Sequence, residues 1–476
     1  MRGARLSPCK NQKEITRELD EGAGWTVTIA ASTRLPLRKV VTFSLANLPI
    51  AALSIAVLVY LPPYFAGHLR APMAMVGGVW MTIRLIDIPV DVTLALAMDR
   101  TRTRIGRYRP WLVAGAPVVM VGLYQLYMAP VGFSAGYLLV WLLVLYLGWS
   151  MMSLAMSAWG ATLAPDYHDR SRLFGVLAAV GVIGALSVLM IPIVGRGFGW
   201  SDARSVQSMG WAMIMAAPLG AAIAAAFTPE RVAPSTPPRP FPLRDYLAIL
   251  RKPDLLRLLV AQIGLTLGPG WMSALYLFFA ADAKGFSVSS ASILLALYVA
   301  AGFPGALGVS ALARRIGKHR ALIVTTTGFS LGLFWILLVP RGDLLAAAAP
   351  MMWAGATSAG FGLMIQAMLA DVGDELRLEQ GKERMSLLYA LNGLAQKIAT
   401  AFSIGLTFPL LASLGYKAAE GAVNTPAAIH NLVVAFIVGP IVFVMMAGAC
   451  VIGWRLDAKR HGEVRRALDA LEGAQP

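Results

Sequence analysis

Long apolar segments, one after another, leave this 476-residue chain few folds to choose from. The hydrocarbon core of a bilayer, about 30 Å thick, is crossed by roughly 20 apolar residues of helix at about 1.5 Å each. Twelve stretches reach that length: residues 42–67, 73–98, 111–130, 136–164, 173–195, 209–228, 256–282, 289–313, 321–340, 344–370, 386–413 and 429–454. Lipid offers the backbone no hydrogen bonds, so each stretch must pair its own amides and carbonyls, as a helix does. A composition of 57% hydrophobic and 14% charged residues fits a chain that lives in lipid. The pattern predicts an all-α membrane protein of twelve transmembrane helices.

The remaining charges report orientation. A formal net charge of +16 would suit a nucleic-acid partner if it formed one patch, but here it is sorted by side. Of the 41 Lys and Arg, Arg84 and Lys397 lie inside spans, and Arg70, Arg196, Arg204, Lys284, Arg341 and Lys417 lie in loops on one side; the rest fall on the other. By the positive-inside rule the richer side is cytoplasmic and holds both termini, with lipid headgroups as its neighbours. The expected setting is a cell (inner or plasma) membrane, with the bilayer as partner, no nucleic acid, and a monomeric chain. Cys9 and Cys450 imply no disulfide framework. The tail with Glu14, Glu18, Asp20 and Glu21 lacks the apolar core of a cleaved signal, so the first span is expected to start insertion.

A polar break divides the spans. Pro234, Pro237, Pro238, Pro240 and Pro242 interrupt the apolar rhythm and read as a linker, with a short surface helix over 244–253. The expected organisation is a tail over 1–41, a six-helix bundle over 42–228, a linker over 229–255, a second six-helix bundle over 256–454 and a tail over 455–476. The halves echo each other: Arg104-Ile105-Gly106-Arg107 follows the second span, and Arg315-Ile316-Gly317-Lys318 follows the eighth. Two related halves with a cavity between them at the midplane describe a transporter.

The second span carries Arg84, Asp87 and Asp91. At about 100° per residue all three share one stripe about 60° wide. Charge in hydrocarbon is expensive, and it marks an ion or solute pathway. Asp87 and Asp91 are (i, i+4) neighbours, about 5–6 Å apart at Cβ, and in a low dielectric both stay ionised only with a cation or proton between them. Pro89 removes a backbone donor and can free carbonyls nearby. A purely structural reading sets Arg84 and Lys397 against the two aspartates. In the eleventh span Ser386, Tyr389, Gln396, Lys397 and Thr400 form one polar stripe with Asn392 at its margin, which suits a cavity wall or helix–helix hydrogen bonds. The loop with Asp99, Arg100, Arg104, Gly106, Arg107 and Arg109 suits a gate, or topology alone. Trp149, Trp159, Trp271, Tyr276, Tyr298 and Trp353 can stack on a solute or anchor the interface. Gln366 and Gln262 are further polar candidates. The five histidines lack metal spacing, and neither a phosphate loop nor a nucleophile–base set is present, so no cofactor or enzyme activity is expected.

These segments resemble the glycoside–pentoside–hexuronide:cation symporters, the melibiose-permease-like branch of the major facilitator superfamily. The likeness rests on Arg84 to Asp91, on Asp99 through Arg104-Ile105-Gly106-Arg107-Tyr108-Arg109-Pro110-Trp111, and on Trp159-Gly160-Ala161 with Asp166 to Arg172. Ala370 to Leu376 with Gly381 and Arg384, and Ala395-Gln396-Lys397, complete it. The resemblance implies that Asp87 and Asp91 hold a coupling Na⁺ or H⁺, with Lys397 beside them. It implies a secondary carrier of a polar sugar derivative working by alternating access. The chain departs from the family where the sugar is gripped. Asn47 stands for a first-span Asp, Ser150, Ser153 and Ser157 occupy a fourth-span region without carboxylate, and residues 173–190 lack an Arg. Candidate solute contacts are therefore Asn47, Trp149, Ser153, Gln366, Tyr389, Asn392 and Gln396. A carrier of an amphipathic solute such as a lysolipid, and a membrane sensor, are the alternatives.

Overall fold

The computed structural model describes residues 36–164, 167–230, 250, 252–380 and 385–473. Twelve membrane-length helices are labelled in chain order. The first half holds α1 (Leu37–Gly67), α2 (Met73–Arg100), α3 (Arg109–Tyr127), α4 (Ala135–Leu163), α5 (Tyr167–Gly197) and α6 (Asp202–Phe227). The second holds α7 (Pro253–Ala283), α8 (Val288–Ile316), α9 (Lys318–Leu338), α10 (Leu344–Glu379), α11 (Met385–Ser413) and α12 (Pro426–Cys450). Eleven are long and apolar enough to cross a membrane on composition alone; α2 is as long but carries Arg84, Asp87 and Asp91. A final helix, α13 (Ala458–Gly473), lies in the region expected only as a tail.

Local chemistry sets the helix starts. The face opposite Leu37 and Cys450, here the distal face, is where α4, α6, α8, α10 and α12 begin. Each is capped there by a side-chain oxygen, from Ser134, Ser201, Ser287, Asp343 and Thr425, which accepts from an otherwise unpaired backbone N–H. On the proximal face α3 and α7 begin with Pro110 and Pro253 in the first turn, where the missing N–H costs nothing. The expected boundaries that move outward furthest are those of α5, which starts at Tyr167, α6, which starts at Asp202, and α10, which runs on to Glu379. Hydropathy marks only the apolar part of a helix, and these helices continue beyond it on polar turns. The Pro-rich linker and the helix expected over 244–253 fall almost wholly outside the described residues.

The halves meet along α2 and α11, along α5 and α8, and where α1 touches α7. The α2–α11 crossing is close: a Cβ on Gly405 would sit 2.6 Å from that of Met81. The internal repeat holds in the backbone, where Gly106 and Gly317 both have positive φ, 129° and 91°, just before α3 and α9. A side chain at either position would be strained, so the loop uses glycine.

Candidate functional site

The α2 charges face α11 at that crossing. Asp87 is 5% exposed. Lys397 Nζ donates to Asp87 Oδ2 at 2.9 Å and also to Asp91 Oδ2. Ser150 Oγ on α4 donates to Asp87 Oδ1 at 3.1 Å. Arg84 Nη1 lies 4.0 Å from Asp87 Oδ2, and its guanidinium stacks 4.4 Å from the Tyr146 ring centroid and 5.8 Å from that of Trp149. One ammonium serves two carboxylates, and Arg84 completes neutrality. Asp91 Oδ1 is buried with no hydrogen-bond partner among the described residues, as are Arg84 Nε and Asn392 Oδ1. Asp91 thus keeps one acceptor oxygen open beside the lysine that bridges the halves. Helix α2 continues through Pro89 without a break.

Two of the solute candidates come together. Asn47 and Ser153 line one hollow of about 270 Å³ with Ile50, Met156, Ser157, Phe174, Leu177 and Ala178. Asn47 Nδ2 donates to Leu177 O at 2.9 Å, which leaves its carbonyl for other partners. Trp149 instead stacks on Tyr146 beneath Arg84. Gln366, Tyr389 and Gln396 are exposed along α10 and α11, Asn392 is buried, and the Ser386 side chain lies outside the described residues. The remaining aromatics are tied into helix packing: Trp271 Nε1 donates to Ala435 O, Tyr276 to Ala291 O and Trp353 to Gly328 O, and Tyr298 pairs with Ser358. Gln262 donates to Thr266 within α7.

The arginine loop folds around a residue that the sequence did not single out. Glu230, three residues beyond α6, receives the backbone N–H groups of Arg107 and Tyr108 at 2.7 Å and of Arg109 at 3.1 Å. These are the open donors of the α3 N-terminus, a natural seat for a carboxylate. Arg107 also pairs with Asp99 and donates from Nε to Met98 O, while Arg109 donates to Thr228 O. Burial pushes the Tyr108 phenol up, with Arg107 opposing. Arg100 and Arg104 are exposed. The loop thus binds the end of α2 to the end of α6 within the first half. At Gly106 a Cβ would meet Glu230 Oε2 at 1.9 Å. Gly106→Ala is expected to expel that carboxylate and lower stability by about 2–3 kcal/mol, read as an earlier unfolding midpoint in detergent; Glu230→Gln, which keeps an acceptor, is expected to fall by less.

Two six-helix halves around a mid-membrane charge cluster define a major facilitator carrier, and the comparisons narrow the class. Residues 42–458 match the family described as MFS/sugar transport protein, and the chain belongs to that family. It is 21% identical over 468 residues to the uncharacterised symporter YjmB of Bacillus subtilis (strain 168), covering 94% of this chain and 98% of that one. It is 30% identical over 145 residues to the inner membrane symporter YicJ of Escherichia coli (strain K12), 29% of this chain and 31% of the other. The crystal structure of the nucleoside transporter NupG shares the fold, with a TM-score of 0.63 at 12% identity over 88% of this chain and 99% of that one. The protein is therefore a multi-pass secondary transporter of the MFS/sugar transport family.

Proposed function

We propose that the protein is a cation-coupled symporter of a glycoside or related polar sugar derivative, working by alternating access. The observation that carries this reading is Lys397 shared between Asp87 and Asp91 across the two halves. A Na⁺ or H⁺ that takes the carboxylates releases the lysine and unties α2 from α11, so ion occupancy and the relation of the halves are linked. Asn47 and Ser153 offer the solute its polar contacts. Around them Ile50, Met156, Phe174 and Leu177 are apolar, which favours, as a second reading, a solute with an apolar end, up to a lysolipid. The skew of basic residues supports cytoplasmic termini in a cell membrane. Reconstituted vesicles test the proposal: uptake of a labelled glycoside is expected to rise when a Na⁺ or pH gradient is imposed. Uptake indifferent to both gradients sinks symport, and uptake of lysolipid alone moves the substrate to the second reading.

A further inference from the structure

Two layers of contact close the distal face between the halves, and neither belongs to the charge cluster at mid-membrane. The inner layer is a pair of hydroxyls. Tyr60 lies in a π-helical turn of α1, Ala56–Tyr60, and its Oη is 2.7 Å from Ser292 Oγ on α8. Both residues are completely buried. A buried phenol needs a partner, and here the partner sits on the opposite half. The outer layer lies in the connecting loops. Glu420 N donates to Gly67 O at 3.0 Å, and His68 Nδ1 is 2.8 Å from Glu420 Oε2. Arg196 at the end of α5 donates to Ser287 Oγ at 3.0 Å at the start of α8.

Between the layers is a cavity of about 270 Å³ whose wall includes Tyr60, Tyr64, His68, Asp202, Asp282 and Glu420. It is roomy enough for several waters and polar enough to hold them. A second π-helical turn, Phe279–Ala283 of α7, forms the opposite wall. Such turns break the regular hydrogen-bond ladder and recur at functional sites. One stands on each half, and each ends at this cavity.

We propose that Tyr60–Ser292 is the inner bolt and His68–Glu420 the outer latch of a distal gate, and that the cavity between them is its vestibule. This rests on the alternating-access reading above, but its readout is conformation, so it can fail while gradient-driven uptake stands. The charged and titratable groups around His68 are Tyr64, stacked at 5.4 Å on its own helix, and Glu420 from the loop before α12. Asp202 at the start of α6 lies within electrostatic reach of Glu420 and Arg196, and Asp282, Tyr416 and Lys417 stand across the cavity. Tyr416 donates to Asp282 at 2.7 Å, and burial, then that carboxylate, push its phenol up. The closed state sets the His68 ring against a carboxylate of the other half, and opening withdraws it.

Spin labels on Val131→Cys and Val423→Cys, exposed loop positions on the two halves, would report the gate with Cys9 and Cys450 replaced by serine. Tyr60→Phe is expected to raise the open-to-closed ratio about ten-fold, and Ser292→Ala to do the same from the other side. The latch is solvent-exposed, so Glu420→Ala is expected to raise that ratio only about two- to five-fold. A Tyr60→Phe distance distribution equal to that of the parent overturns the bolt, and a Glu420→Ala distribution equal to that of the parent overturns the latch.

Discussion

Lys397→Ala is expected to destabilise the protein by about 3–5 kcal/mol, because it strands two carboxylates between α2 and α11. Asp87 is 5% exposed, and once the lysine is gone its nearest cation is Arg84 at 4.0 Å. Ser150 still donates to Asp87, but a hydroxyl carries no charge to offset the second carboxylate. Asp91 fares worse: Lys397 is the hydrogen-bond donor to its Oδ2, and its Oδ1 has none among the described residues. Asp91→Asn alone is expected to be mild, since Lys397 keeps Asp87. Lys397→Ala combined with Asp91→Asn should then regain much of the lost stability, because the single remaining carboxylate is matched by Arg84. The cycle should show a coupling of about 2–3 kcal/mol. Unfolding followed by tryptophan fluorescence in detergent measures all four proteins. Additive losses would mean that the three groups do not act as one cluster.

The spans were legible because lipid imposes a length and an apolarity that need no partner to be read. The same physics made the α2 stripe legible: three charges on one helical face have one place to go, and that face meets α11. Periodicity alone could not reveal what meets them. Lys397 is 310 residues from Asp87 and was placed beside it by resemblance. Ser150 was read as the absence of a carboxylate, whereas it donates to Asp87. Trp149 was a candidate platform for the solute, yet its ring lies under Arg84, a contact set by how α4 packs on α2. Glu230 was illegible for a different reason. Its partners are backbone N–H groups, and a loop sequence shows arginines without showing which carboxylate the helix start will seat. Tyr60 and Ser292, 232 residues apart, carry no local pattern at all. Helix α13 was missed because hydropathy looks for lipid; its buried Val464 and Leu468 are too sparse to form a span.

Asp87→Asn is expected to abolish accumulation of solute against a gradient while leaving exchange across the membrane measurable. The argument separates two jobs. The solute hollow is built from α1, α4 and α5, and none of its lining residues is charged. Removing a charge on α2 leaves those contacts in place. The coupling ion has no such reserve. With asparagine at 87, Lys397 can rest permanently on Asp91, the site has lost the second carboxylate that made a cation or proton necessary, and no ion need move with the solute. A potential of about 100 mV supplies about 2.3 kcal/mol per charge carried, which supports roughly a fifty-fold gradient; in the variant that ratio should fall to one. Asp91→Asn should behave alike, since either substitution leaves one carboxylate for one lysine. Vesicles preloaded with unlabelled solute measure exchange, and vesicles under an imposed gradient measure accumulation. Accumulation that persists in both variants would place the coupling ion elsewhere and leave the Asp87–Asp91–Lys397 cluster a structural tie between the halves.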